Sequence, residues 1–294
     1  VNPYSLSCQL TYKRSTLRSG AAGRHLLLVL IFLIILFSLP SHAVPLYGKC
    51  GSTPLFSMLE KIPEIAYHVD AVFHHDPEAF TQGLAWGQGM LYESTGLYGA
   101  SSIRLVEPHT GNVLRMKRLP ASSFGEGLAF TDGRLIQLTW KEETAYVYDG
   151  DSFSIVNKIR YAGEGWGLAD GNGKIFMSNG GPYLSIRDPG AFREEQKVQV
   201  HAGATPISNI NELEYADGVL FANVWKENLI LRIDPQSGKV TGFIDLDKLP
   251  WPTQRDCQDR EKVANGIAYD PQKHFFYITG KRWPYLFRLS LIHH

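Results

Sequence analysis

The chain has 294 residues, with 29 basic and 29 acidic side chains and three cysteines. A hydrophobic fraction of 44% with 20% charged residues suits a folded globular protein and excludes a disordered one. No basic excess exists to displace counterions from phosphates, which argues against a nucleic-acid binder, and three cysteines without a CxxC pair exclude a disulfide scaffold or a zinc finger.

The first segment differs from the rest. Residues 1–25 carry Lys13, Arg14, Arg18 and Arg24 and no acidic residue, and Leu26 to Phe37 is an unbroken apolar run. Pro40 ends the run, and Ser41-His42-Ala43 gives a small-x-small exit. This order predicts a signal peptide over 1–43 and an exported domain, periplasmic or secreted. The run falls short of the roughly 20 residues of a bilayer span, so an uncleaved N-terminal membrane anchor is the second reading. Removing the leader leaves 25 basic and 29 acidic residues, a net charge of −4, so the apparent neutrality belongs to the leader. Residues 44–63 read as a linker and 64–294 as one domain. Cys50 and Cys257 remain in it, and the sequence leaves both a disulfide and two free thiols open.

One pattern then recurs five times: a Gly- or Asn-rich turn, a short apolar step, a second turn and a strongly apolar strand. It begins with Phe80-Thr81-Gln82-Gly83-Leu84 followed by Met90-Leu91-Tyr92-Glu93-Ser94-Thr95. It returns at Phe124-Gly125-Glu126-Gly127-Leu128, Gly165-Trp166-Gly167-Leu168, Asn211-Glu212-Leu213-Glu214-Tyr215 and Asn265-Gly266-Ile267-Ala268-Tyr269. Aligned on Leu84, Leu128, Leu168, Leu213 and Ile267, the steps are 44, 40, 45 and 54 residues. A second hairpin follows each copy, as at Leu231-Arg232-Ile233 turning through Asp234-Pro235-Gln236-Ser237-Gly238. Four short strands per 40–50 residues is the size of a propeller blade, and one such sheet buries its faces only against others. The expected fold is all-β, a five-bladed propeller of four-stranded antiparallel blades, with a stack of β-sandwiches as the weaker alternative. The last copy lacks an outer strand, and Ile65–Val72 alternates before the first copy. That N-terminal segment is predicted to close the ring, which leaves no open sheet edge.

Polar residues at the recurring turns then face the channel. These are Gln82, Glu126, Asn211 and Lys281, with Trp140, Trp166 and Trp225 as aromatic neighbours. A lone Gln or Asn there is commonly a turn cap and a lone Trp commonly packing between blades. Different polar residues at equivalent positions fit a ligand site better, because a scaffold would repeat one residue. Glu126 is the sharpest candidate, flanked by two glycines that permit close approach. Glu164, in Gly163-Glu164-Gly165, falls out of register with its own repeat and ranks well below it.

Taken together and in order, these motifs resemble the plant-type glutamine cyclotransferases, or glutaminyl-peptide cyclotransferases. Leu138-Thr139-Trp140-Lys141, Asn223-Val224-Trp225 and Thr279-Gly280-Lys281-Arg282-Trp283-Pro284 add to the set, which covers about residues 65–290. The resemblance implies a five-bladed propeller that converts N-terminal glutamine to pyroglutamate with loss of ammonia, distinct from the zinc-dependent animal-type enzymes. It implies that Glu126 matches the family's proton shuttle, Phe80 and Gln82 its channel lining, and Trp140, Trp166, Trp225, Asn211 and Lys281 its remaining site residues. No cofactor is required on this reading; a structural metal ion stays open, although no ligand cluster with zinc spacing is visible. The expected partners are peptides or proteins with N-terminal glutamine, with no nucleic acid, membrane contact only through an uncleaved leader, and a monomeric state.

Such a substrate brings its own nucleophile, so the chemistry asks for positioning, one carboxyl group used twice, and oxyanion donors. Gln82, Asn211 and Lys281 are the expected donors, and the tryptophans are expected to wall the pocket and raise the pKa of Glu126. Two alternatives remain. One is a non-catalytic peptide- or protein-binding propeller. The other is a lactonase- or strictosidine-synthase-like propeller, disfavoured because its Ca²⁺ needs several carboxylates where only Glu126 stands and Lys281 would repel a cation.

Overall fold

The computed structural model describes residues 54–253 and 259–292. They belong to the compact unit formed by Val44–His294, whereas the predicted leader and Cys50 and Cys257 lie outside the described residues.

Five four-stranded antiparallel sheets follow one another along the chain. Blade one runs Thr81–Gly87, Met90–Thr95, Ser102–Val106 and Val113–Arg118, from the centre outwards. Blade two starts with Gly125–Thr131 and Arg134–Thr139, blade three with Leu168–Gly171 and Lys174–Met177, and blade four with Ile210–Ala216 and Val219–Val224. Blade five contributes Ala264–Asp270, Phe275–Gly280 and Tyr285–Leu291, and its fourth strand is Tyr67–His74 from the start of the domain. Tyr67 pairs with Leu291 and His74 with Tyr285, so the predicted N-terminal closure occurs, displaced by two residues. The innermost strands touch in chain order, and the fifth touches the first, which makes a closed ring.

The packing explains why the apolar pattern repeats. Five apolar clusters fill the five gaps between neighbouring blades. Ala85, Tyr92 and Ile103 meet Leu128 and Leu135 between blades one and two. Leu84, Leu91 and Val106 meet Ala268, Tyr277 and Leu286 at the closing gap. Stacked rings reinforce the gaps: Trp86 on Tyr277 at 5.3 Å and Phe176 on Tyr215 at 5.7 Å, each worth about 0.5–1.5 kcal/mol beyond burial. Part of the expected linker is not extended chain. Pro54–Met58 is a short helix, and Leu55 and Leu59 are buried in the cluster between blades three and four. Phe56 meets Phe243 edge-on, at 6.0 Å.

Candidate active site

Local irregularity creates the site. In blades one, two, four and five the innermost strand slips register at Thr81/Gly83, Gly125/Leu128, Ile210/Leu213 and Ala264/Ile267. These bulges hold Gln82, Glu126, Asn211 and Asn265. A bulge frees a residue from the ladder and re-aims its side chain, here towards the channel. The walls come from a second repeated place, the exit of the second strand, where the N–H groups of Trp140, Trp225 and Lys281 bond back to Phe124, Asn209 and Val263. In blade three Gly180 takes this place with φ +79, and a Cβ there would stand 2.7 Å from the Trp166 ring, so glycine makes room for that indole.

All eight residues singled out from sequence line one cavity of about 280 Å³: Phe80, Gln82, Glu126, Trp140, Trp166, Asn211, Trp225 and Lys281. Leu97, Phe124 and Glu261 join them. Glu126 is 5% exposed and Lys281 5%, so both charges are removed from bulk water. Burial pushes the Glu126 carboxyl well above the usual carboxylate range; Lys281 opposes this, and Glu164 and Glu142 add to it. Burial also pulls Lys281 below its ordinary value, against the attraction of Glu126. The Lys281 ammonium lies 4.9 Å from the Phe80 ring centroid, a cation–π contact that partly replaces its water.

An amide chain orients the acid. Asn265 Nδ2 donates to Gln82 Oε1 at 3.0 Å, and Gln82 Nε2 donates to Glu126 Oε1 at 3.0 Å. Gln82, expected to donate to the substrate, therefore commits one of its two amide hydrogens to Glu126. The side-chain Oδ1 of Asn211 is buried without a partner among the described residues. Its backbone carbonyl accepts from Ser178 Oγ at 2.6 Å, which fixes the residue from behind.

Glu164 is nearer to the site than its register suggested. One of its oxygens accepts from the indole N–H of Trp140 at 2.8 Å and of Trp166 at 3.0 Å. Trp166 in turn meets Trp225 edge-on at 5.7 Å, so one carboxylate braces the tryptophan wall. Asn265 and Phe124 were both present in the repeating pattern, but asparagine before glycine reads as a turn and phenylalanine at a strand entrance as core. Among the described residues, no group of three or more His, Cys, Asp or Glu is arranged to hold a metal ion.

Fold and site together define a five-bladed propeller with a small, aromatic-walled cavity around the buried carboxyl group of Glu126. The sequence profile of the glutamine cyclotransferase family matches residues 43–291. A glutaminyl-peptide cyclotransferase of Arabidopsis thaliana is 37% identical over 260 residues, spanning 88% of this chain and 79% of its own. The crystal structure of Myxococcus xanthus glutaminyl cyclase superposes with a TM-score of 0.70 at 36% identity, covering 78% of this chain and 98% of that one. The chain belongs to the glutamine cyclotransferase family and is an enzyme of the transferase class.

Proposed function

We propose that the protein converts the N-terminal glutamine of peptides or proteins to pyroglutamate and releases ammonia, with Glu126 carrying the proton. The α-amine nitrogen attacks the γ-carboxamide carbon, a C–N bond closes the five-membered ring, and the bond to the amide nitrogen breaks. Glu126 takes a proton from the attacking nitrogen and returns it to the leaving one, so the carboxyl group ends as it began. A raised pKa suits this double role, because the group must give up its proton as readily as it takes it. Asn211, and Lys281 as a cation, are the donors proposed for the developing oxyanion. The remaining amide hydrogen of Gln82 adds a weaker contact. No cofactor enters this scheme, since nucleophile and leaving group both belong to the substrate.

The observation that carries the reading is the isolation of Glu126: buried, bonded by one amide hydrogen and facing a cavity. The volume of about 280 Å³ lies near the low end of small-ligand pockets, roughly 300–1,000 Å³, and suits one terminal residue rather than a bound chain. This favours catalysis over a peptide-binding rim. The test is ammonia release from the dipeptide Gln-Ala, with Ala-Gln as the control that offers no N-terminal glutamine. Turnover of Gln-Ala alone is expected; no ammonia from either dipeptide would overturn the proposal. Export of the domain, proposed from the leader, predicts that the mature chain begins near Val44 when isolated from the periplasm or medium.

A further inference from the structure

The five repeats place Gly83, Gly127, Gly167, Glu212 and Gly266 at one equivalent position, just before Leu84, Leu128, Leu168, Leu213 and Ile267. Three of the glycines are pressed against the next blade. A Cβ on Gly83 would stand 2.6 Å from Leu128 N, one on Gly127 2.6 Å from Leu168 N, and one on Gly167 2.0 Å from Asn211 O. The innermost strands thus meet backbone to backbone at this level, and four of the five offer no side chain.

Glu212 is the exception. It is completely buried. Its Oε1 accepts from the backbone N–H of Leu84 at 3.2 Å, and the N–H of Ile267 bonds to the same carboxyl group. Blades four and one are not neighbours in the ring, so the contact to Leu84 crosses the channel. Oε2 has no partner among the described residues. Burial, with Glu214 adding to it, pushes the group well above the usual carboxylate range.

The three strands joined in this way are the ones that carry the site's amides. Leu84 lies two residues beyond Gln82, Ile267 two beyond Asn265, and Asn211 immediately precedes Glu212. We infer that Glu212 is a positioning residue, an axle whose carboxyl group locks the strands of Gln82, Asn265 and Asn211 so that the amide chain reaches Glu126. The inference rests on the reaction proposed above, but its structural half is measurable without turnover. A side chain on the axis acts through hydrogen bonds it accepts, so glutamine, which keeps an acceptor oxygen, replaces it and alanine does not.

The experiment compares Glu212→Gln and Glu212→Ala with the unmodified protein by two readouts: kcat and KM for Gln-Ala, and the titration midpoint of the Glu126 carboxyl by ¹³C NMR. Glu212→Ala is expected to lower kcat by roughly 10- to 100-fold with a smaller change in KM, as misplacement of catalytic groups does. It is also expected to move the Glu126 midpoint upwards, because the Gln82 bond that favours the carboxylate loosens. Glu212→Gln is expected to keep both. A folded alanine variant with unchanged kcat and midpoint overturns the inference, as does a glutamine variant with the alanine behaviour. Should alanine prevent folding, the glutamine variant decides alone: an unchanged midpoint supports the axle and a shifted one overturns it. An unmodified protein without activity overturns the proposed reaction instead, and the midpoints still decide the role of Glu212.

Discussion

Glu126 and Glu93 are both buried glutamates of this ring, and their surroundings push them in opposite directions. Glu93 stands at the seam where the N-terminal strand closes blade five onto blade one. His75 Nε2 meets its Oε1 at 3.0 Å, Thr81 Oγ1 donates to the same oxygen at 2.7 Å, and Arg104 lies 3.6 Å from the other. The second ring nitrogen of His75 faces the Trp283 carbonyl at 2.6 Å. Both neighbours of that ring are acceptors, an arrangement that favours the imidazolium form. Burial alone would raise Glu93, but His75, Arg104 and Thr81 outweigh it and hold the carboxyl below its usual range. Glu126 receives one amide hydrogen and a more distant lysine, and burial wins. Burial alone therefore does not make an acid reactive; what matters is how much compensation the fold supplies. Full compensation gives a clasp, and partial compensation leaves a proton free to move.

The largest test of this contrast replaces each acid in turn. Glu126→Gln is expected to lower kcat for Gln-Ala by about 10³-fold or more, within the range for losing a general acid–base, while circular dichroism stays unchanged. Glu93→Ala is expected to act the other way round. Removing one partner of a buried ion pair costs about 3–5 kcal/mol, which lowers Tm by on the order of 10 °C and leaves kcat of the folded enzyme within a few-fold. Thermal melts and kinetics on the two variants check both halves, and a Glu93 variant that loses turnover without losing stability would erase the contrast.

Next in size is the brace on the tryptophan wall. Glu164→Ala releases the Trp140 and Trp166 indoles and is expected to raise KM by roughly 10-fold with less effect on kcat, because the wall binds ground and transition states alike. Tryptophan emission should change with it. Glu164→Gln retains an acceptor oxygen and is expected to stay closer to the unmodified protein.

pH sharpens the comparison further. As Glu126 has a raised pKa, kcat/KM should fall with decreasing pH through a midpoint above the ordinary 4.5 of a glutamate. The clasp behaves differently at its two ends. Burial would lower His75, yet Glu93 and the Trp283 carbonyl raise it above 6.5, so its contribution to stability is complete below that value and is lost as pH rises through the folded pKa. The contribution of Glu93 is present above 4.5 and is lost as pH falls through its depressed pKa. A Tm-versus-pH curve should therefore lose the clasp on both sides of a broad maximum.

The smallest expected effect is on stability at the site itself. A raised folded pKa means that ionised Glu126 opposes folding, so Glu126→Gln should raise Tm by a few degrees at about pH 8 and by nothing at about pH 4. Parallel melts at the two pH values check this.

The repeat made most of this legible in the sequence. Gln82, Glu126 and Asn211 could be read because five copies of one pattern place them at corresponding points, and Trp140, Trp225 and Lys281 because they share the exit of the second strand. What periodicity cannot carry is contact through space. Asn265 touches Gln82 from 183 residues away and did not stand out from its neighbours, while Glu164 touches Trp140 across a loop, a contact that its register could not show. His75 belongs to no recurring motif, and Glu93 sits in its repeat without an acidic counterpart in the others; ring closure brings the two together. The helix at Pro54–Met58 is too short for a helical period to show, and only its buried leucines reveal it as part of the domain.

The central claim is that Glu126 is the under-compensated acid facing the cavity and therefore the proton carrier. Its carboxyl titration, followed by ¹³C NMR with Glu126→Gln as the blank, tests this most directly. A midpoint above 4.5 that coincides with the acid limb of kcat/KM is the predicted result. A midpoint at or below 4.5, or an acid limb that persists in Glu126→Gln, would contradict it.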